Sequence, residues 1–218
     1  MKQSCDISSP DFQIRWAYFN KSALKMNPRF VNDLHNIEVN QKMVGYFSKY
    51  LETNLDRKKG LLIVGPTGTG KSTLFMTFQK IIEDAQPGYF LKMQGCREIK
   101  DLWKTKDWKI INQLKGRNEN RQITNPVKME LVLDDLGMDV PFKDFGTEVD
   151  LTGDILEARY NIFRDHGIRT HATTNLSTAL KIDGKVINEI EARYGTRVYS
   201  RIREMFNILV LGGPDRRG

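Results

Sequence analysis

The sequence lacks long apolar runs and contains little cysteine. No apolar run approaches the ~20 residues that a membrane-spanning helix needs, and the opening residues MKQSCDISSPDF have no apolar core of the signal-peptide kind. Cys5 and Cys96 are too few for a disulfide framework, and no CxxC pair or histidine cluster indicates zinc. These absences predict a reduced, cytoplasmic protein without a membrane segment.

Acidic residues are in the minority, with 27 Asp and Glu against 34 Lys and Arg, so the net charge is +7. This balance favours a polyanionic partner, because neutralised phosphates release counterions, although solubility alone also explains it. With 218 residues, 39% of them hydrophobic, the chain is long enough for one α/β domain with a full core and short extensions.

The strongest motif is GLLIVGPTGTGKST at residues 60–73, an apolar strand followed by the P-loop pattern G-x-x-x-x-G-K-[ST]. Its glycines let successive N–H groups form one concavity for phosphate oxygens, and the next helix adds its positive N-terminal end. Lys71 is expected to reach the β- and γ-phosphates, and Ser72 is expected to ligate Mg²⁺. The expected nucleotide-binding residues are Gly65, Pro66, Thr67, Gly68, Thr69, Gly70, Lys71, Ser72 and Thr73.

A second motif, ELVLDDLG at residues 130–137, is an apolar strand that ends in two carboxylates. Ligands of open α/β sheets collect at the C-terminal edge of the strands. Asp134 is therefore expected to hold Mg²⁺, directly or through water, and Asp135 to orient the attacking water as a general base. Alone, the pattern also fits a strand that ends in a turn; its place downstream of a P-loop favours the catalytic interpretation.

The remaining patterns predict a three-layer α/β/α fold around a five-stranded parallel sheet. Strands are expected near residues 61–65, 89–93, 130–134, 168–174 and 207–211. Helices are expected at residues 38–54, about 71–84, the first part of 97–121, 153–165 and 192–205, with a loop at 138–150.

Two segments have open interpretations. Residues 1–37 are rich in large apolar groups, so this extension either docks a partner or folds onto the main domain, residues 38–218. Residues 97–121 mix cations with Trp103 and Trp108. Such a mixture can track a single nucleic-acid strand, or the tryptophans belong to the core and the cations to a solvated face. The cations are Arg97, Lys100, Lys104, Lys106, Lys109, Lys115, Arg117 and Arg121.

Two features further along the chain are candidate site residues because a P-loop precedes them. Asn175 ends the strand pattern IRTHATTN, where its amide can hydrogen-bond a γ-phosphate or the attacking water. Residues 192–205 contain four arginines, Arg193, Arg197, Arg201 and Arg203. They form either a basic surface helix or, in a P-loop ATPase, a source of charge for a neighbouring subunit's nucleotide.

With these motifs in this order, the sequence resembles the AAA+ ATPases. Within them it is similar to the DnaC/IstB-type group of replicative helicase loaders and transposase-helper ATPases. The resemblance covers roughly residues 38–217. It is carried by GPTGTGKST at 65–73, LVLDDLG at 131–137, ARYN at 158–161, HATTN at 171–175, RYGTRVYSRI at 193–202 and GGPDRR at 212–217.

The resemblance implies a RecA-like P-loop NTPase of the AAA+ type with little or no lid domain. Asn175 matches the sensor 1 position, and Arg201 matches the arginine finger, with Arg197 as second choice. Arg216 or Arg217 is a candidate for sensor 2. Asp135 stands where many AAA+ proteins have Glu.

The resemblance also implies a function, namely a helicase-loader-like ATPase in DNA replication. It would use ATP and Mg²⁺, bind single-stranded DNA, form a homo-oligomer with ATP at subunit interfaces, and act on a replicative helicase. Three alternatives stay open: a transposase-helper ATPase, a non-hydrolysing ATP-gated adaptor and a nucleotide kinase.

Overall fold

The computed structural model describes residues 6–86, 90–117, 129–178, 180–182 and 185–217. Five strands form one parallel sheet in the order β2-β3-β6-β1-β9, and two antiparallel hairpins, β4-β5 and β7-β8, flank it. The elements are α1 (Pro10–Met26), α2 (Ile37–Phe47), β1 (Gly60–Val64), α3 (Lys71–Ala85), β2 (Phe90–Gly95), α4 (Cys96–Lys104), α5 (Trp108–Leu114), β3 (Met129–Leu136), β4 (Phe142–Asp144), β5 (Thr147–Val149), α6 (Leu151–His166), β6 (Thr170–Thr174), β7 (Leu180–Ile182), β8 (Lys185–Ile187), α7 (Glu189–Met205) and β9 (Phe206–Val210).

The central strands β1 and β6 are buried on both faces, as is typical of parallel sheets, whereas the edge strand β9 exposes Ile208 and Val210. Side chains alternate along β1, so Leu61 and Ile63 join the core beneath α1, α2 and α3, whereas Leu62 and Val64 join the core beneath α4 to α7. This arrangement confirms the predicted three-layer α/β/α fold with a five-stranded parallel sheet. The parallel register also brings the C-terminal ends of β1, β3 and β6 to one edge, with Val64 and Leu136 both paired to Thr174.

Helix α1 packs on the domain. Ser9 caps its first turn through Phe12 N, and Phe12, Phe19 and Ala23 are each 1% exposed in the core shared with α3. The rings of Phe19 and Phe78 stack at 5.2 Å. This packing agrees with the alternative in which the N-terminal segment folds onto the domain, while the division at residue 37 stays a prediction.

The predicted helix at 38–54 is wrong at its C-terminal end, because α2 ends at Phe47. The guanidinium of Arg57 donates hydrogen bonds of 2.9 Å to the carbonyl oxygens of Gly45 and Ser48. These bonds satisfy carbonyls that end the helix. The side chain that stops α2 therefore lies beyond the predicted helix, where helical periodicity cannot reveal it.

One more local prediction needs correction. Residues 138–150 contain the hairpin β4-β5 rather than only a loop; Phe145 and Gly146 both have positive φ, at 46° and 82°, which suits a two-residue hairpin turn. In the basic segment, the helix predicted at its start is present as α4, and a second helix, α5, follows after Lys106, which has a φ of 57°. Tyr89 and Arg121, which belong to predicted elements, lie outside the described residues.

In the part of the chain that the structure describes, no helix is both long and apolar enough to cross a membrane.

Candidate functional site

The phosphate loop joins β1 to α3 and uses backbone conformations that suit glycine. Gly68 and Gly70 have φ of 82° and 96°, in the left-handed region. At Gly65, a Cβ would lie 2.0 Å from the backbone carbonyl oxygen of Leu211, so glycine is needed there for space. Helix α3 begins at Lys71, directly after Gly70, and therefore directs its free N–H groups toward the loop.

The Lys71 side chain lies over this loop and joins it to the end of β6. Its Nζ donates to the carbonyl oxygens of Gly65 and Pro66, both at 2.8 Å, and to Asn175 Oδ1 at 2.6 Å. Burial lowers the pKa of Lys71, and the nearby carboxylate of Asp135 opposes that shift. The structure therefore places the predicted P-loop lysine and the predicted sensor 1 amide in direct contact.

A hydroxyl and a carboxylate meet beside the lysine. Ser72 Oγ donates to Asp134 Oδ1 at 2.8 Å, and Thr173 Oγ1 donates to the same oxygen at 2.6 Å. Thr173 Oγ1 also accepts from the backbone N–H of Asp135 at 2.9 Å. Thr173 was not among the predicted site residues, although the polar pattern TTN at this strand end is a signal for it.

This donor set fits Mg²⁺. A hydroxyl, a carboxylate and phosphate oxygens are hard ligands of the kind that Mg²⁺ takes in nucleotide sites. Among the described residues, no group of three or more His, Cys, Asp or Glu could hold a metal ion. Ser72 and Asp134 are the residues that would hold the metal, together with phosphate oxygens and water.

Asp135 has a backbone φ of 56°, in the left-handed region that only a few residue types enter readily. The register between β3 and β6 shifts between Leu133 and Leu136, so the chain is irregular at the two carboxylates. Strained backbone of this kind clusters at active sites. It gives Asp134 and Asp135 different surroundings at adjacent positions.

These groups border a cavity of about 600 Å³. Of the predicted site residues, Gly68 to Thr73, Asp135 and Asn175 line it; Gly65, Pro66, Thr67, Asp134 and Arg201 do not. Arg216 and Arg217, the two candidates for sensor 2, also line it. The rest of its wall was not predicted and consists of Asn27, Pro28, Arg29, Phe30, Val31, Asn36, Asn40, Leu74, Thr77 and Leu211.

The C-terminal tail closes one side of the cavity. The backbone N–H of Arg216 donates to Gly68 O at 3.0 Å, and its Nη2 pairs with Asp33 Oδ2 at 2.7 Å. Arg217 lies close enough to Lys71 to contribute to lowering the pKa of that lysine. Both candidates for sensor 2 therefore lie beside the P-loop of their own chain.

The predicted arginine finger lies elsewhere. Arg201 Nη1 pairs with Glu157 Oε1 at 2.6 Å, and its guanidinium lies 5.1 Å from the ring centroid of Tyr160. Arg197 reaches the same Glu157 oxygen at 3.6 Å and is 77% exposed. Arg193, in contrast, is engaged by two carboxylates of its own chain, which are those of Asp139 and Asp150.

The basic segment that starts at residue 97 has features of both interpretations, in which its tryptophans either contact nucleic acid or belong to the core. Trp103 Nε1 donates to Asp144 Oδ2 at 3.1 Å, so this ring helps hold the hairpin β4-β5. Trp108 packs edge-on against Trp103 at 4.8 Å and remains 46% exposed. Lys104, Lys106 and Lys109 of the same segment are exposed, and Lys104 Nζ pairs with Asp101 Oδ1 at 3.0 Å.

Known proteins share this fold. The family profile described as the PrkA AAA domain matches residues 4–105, just under half of the chain, including the P-loop. No curated protein sequence matches significantly. A crystal structure of the DnaC helicase loader is 24% identical, with 85% of this chain and 95% of that chain covered and a TM-score of 0.55. AMPPCP-bound DnaA from Aquifex aeolicus is 14% identical, with 85% of this chain and 50% of that chain covered and a TM-score of 0.52. The chain therefore has the fold of AAA+ P-loop ATPases.

Proposed function

We propose that the chain binds Mg·ATP in this cavity and hydrolyses it. The observation that carries the proposal is the convergence of three distant segments at one sheet edge. Lys71 and Ser72 come from the P-loop, Asp134 from β3 and Asn175 from the end of β6, and their side chains touch in pairs. The experiment that tests it is a parallel measurement of nucleotide binding and phosphate release.

Each residue has a role that its position supports. Lys71 would hold the β- and γ-phosphates, and Ser72 and Asp134 would hold Mg²⁺, which supplies charge neutralisation at the phosphates. Asp135 would accept a proton from the attacking water. Asn175, already within 2.6 Å of Lys71 Nζ, would exchange that contact for one to the γ-phosphate or to the water.

Beyond catalysis, we propose a helicase-loader-like role in DNA replication, in the cytoplasm and as a homo-oligomer. The DnaC structure supports this role because nearly its whole length is covered. A replicative helicase is the favoured partner. A transposase is the alternative partner, and the neighbouring genes of the host would discriminate between them. A nucleotide kinase would not need the Asp134–Asp135 pair together with Asn175.

Arg201→Ala should bind ATP normally and lose about 10³-fold or more of its hydrolysis, because an engaged arginine finger commonly contributes 10³- to 10⁵-fold. Arg201 does not line its own cavity, so it would act on a neighbour after release from Glu157. Mixing Arg201→Ala with Lys71→Ala, each inactive alone, should therefore restore some activity. In the parent, phosphate release per subunit should rise with protein concentration.

The matched control is Arg203→Ala, an exposed arginine on the same helix, which should leave hydrolysis unchanged. If the mixture stays inactive and activity per subunit is independent of concentration, Arg201 is a surface cation. The result would then favour a monomeric ATP-gated adaptor.

For DNA, we propose that the exposed cations around Trp108 contact a single strand. The affinity should fall as salt rises, by about 0.7 log units per log unit of salt for each phosphate neutralised. Replacing Lys104, Lys106 and Lys109 together by Glu should weaken binding further, as measured by fluorescence anisotropy. Replacing Lys21, Lys25 and Lys58 by Glu is the control with the same charge change. Equal effects of the two triple variants would assign the net charge to solubility or nonspecific attraction.

A further inference from the structure

Two groups of residues from different parts of the chain line the cavity. One group is the P-loop residues 68–73, with Asp135 and Asn175. The other is the connector between α1 and α2, with Pro28, Phe30 and Val31, followed by Asn36 and Asn40. Since a triphosphate would bind to the P-loop group, the second group, called here the base end, is left for the base. The apolar side chains of the base end suit the faces of a flat ring.

Two asparagines line this base end, Asn36 directly before α2 and Asn40 within it, and they have different bonding. Asn36 is occupied by the connector, because its Nδ2 donates to Val31 O at 2.8 Å and its Oδ1 accepts from Asp33 N at 2.9 Å. Asn40 is 2% exposed and lines the cavity one turn further along the helix. Asn36 shapes the wall, which leaves Asn40 to contact a ligand.

A relay of amides orients Asn40. Its Nδ2 donates to Asn32 Oδ1 at 2.8 Å, and Asn32 Nδ2 donates in turn to Asn20 Oδ1 at 2.5 Å. The NH₂ groups of Asn40 and Asn32 therefore each donate to the amide oxygen of the next asparagine. The group that Asn40 can offer as an acceptor is Oδ1.

We infer that Asn40 determines base specificity by accepting a hydrogen bond from the 6-amino group of adenine. In a base with a carbonyl at position 6, the carbonyl oxygen would face Asn40 Oδ1. Both oxygens are hydrogen-bond acceptors, and such a mismatch is costly in a buried site. The inference rests on the proposed nucleotide site and adds the residue that selects the base. It assigns Asn32 as a positioning residue, because Asn32 holds the Asn40 amide in one orientation.

The test compares three nucleotides on the full chain with Mg²⁺, by competition against a fluorescent ATP analogue. ATP should bind about 3- to 12-fold more tightly than purine riboside triphosphate, which lacks the 6-amino group. ATP should bind at least ~10-fold more tightly than inosine triphosphate, which carries the 6-carbonyl. This comparison in the parent protein requires no variant to fold.

Two variants then distinguish the proposed base contact of Asn40 from the proposed positioning role of Asn32. Asn40→Ala should weaken ATP by about 3- to 12-fold and leave purine riboside triphosphate unchanged, which removes the discrimination between them. Asn32→Ala should instead let the Asn40 amide turn over and donate. The Asn32→Ala variant should therefore bind inosine triphosphate more tightly than the parent does, and the difference in affinity between ATP and inosine triphosphate should become smaller. A merely structural role would not move the two variants in these different ways.

Equal affinity of the parent for all three nucleotides would overturn the inference while leaving the nucleotide site intact. If Asn40→Ala weakens the binding of all three nucleotides equally, the inference is also overturned. Asn40 would then contact the ribose or only shape the cavity wall. If none of the three binds to the parent, the proposed function itself fails.

Discussion

Lys71→Ala is expected to lose nucleotide binding and to reduce ATP hydrolysis by at least ~10²-fold, the usual cost of removing one preorganised electrostatic contact. The Lys71 ammonium is held by two loop carbonyls and the Asn175 amide, and it is the group that we propose binds the β- and γ-phosphates. The fold should survive, because burial already disfavours this charge. Phosphate release, nucleotide titration and thermal unfolding measure the three effects.

The matched control is Lys80→Ala on the same helix. Lys80 is exposed and pairs with Asp84 at 2.8 Å, and exposed pairs of this kind contribute little to stability. The control should hydrolyse ATP as the parent does. Unchanged hydrolysis in Lys71→Ala would contradict the assignment of the loop, whereas a lower melting temperature would make its loss of activity a folding effect.

Asp135→Asn is expected to bind Mg·ATP with unchanged affinity and to lose about 10²- to 10⁴-fold in turnover, the range for removal of a general base. An amide has nearly the shape of the carboxylate but cannot accept the proton. Asn also tolerates the left-handed φ of 56° at this position, so the backbone should stay in place. Nucleotide titration and single-turnover hydrolysis separate binding from chemistry.

Asp134→Asn provides the comparison one residue earlier. Asp134 accepts from the Ser72 hydroxyl, so its variant should weaken the Mg²⁺ dependence of binding as well as the rate. If the two variants behave identically and both lose binding, Asp135 is a metal ligand or a structural residue rather than the base.

Local patterns were sufficient to predict the sheet and the loop. Apolar runs and their alternation are properties of neighbouring residues, so all five strands of the sheet were located to within a few residues. The end of α2 could not be located in this way, because the side chain that satisfies its carbonyls belongs to Arg57. The kink in α7 at Gly195, with φ 78° and ψ 160°, likewise has no signal in helical periodicity.

The candidate site likewise has one part that local sequence patterns predict and one part that they do not. The P-loop and the acidic strand end carry their chemistry in short motifs, and parallel strand order brings Asn175 to them. The rest of the cavity wall comes mainly from residues between Asn27 and Asn40, which no short motif marks. Arg216 and Arg217 also line it, and they belong to the segment GGPDRR that carries part of the resemblance. The proposed role of Arg201 is toward the nucleotide of a neighbouring subunit, and within its own chain Arg201 pairs with Glu157.

The central claim is that this cavity hydrolyses Mg·ATP, and a single-turnover experiment tests it most directly. The purified parent is loaded with γ-labelled ATP in EDTA at high protein concentration, Mg²⁺ is added, and the bound nucleotide is identified over time. The account predicts conversion to ADP and phosphate after Mg²⁺ addition and none while EDTA is present. Nucleotide that stays bound and is recovered intact as ATP would contradict hydrolysis and would identify the chain as an ATP-gated adaptor.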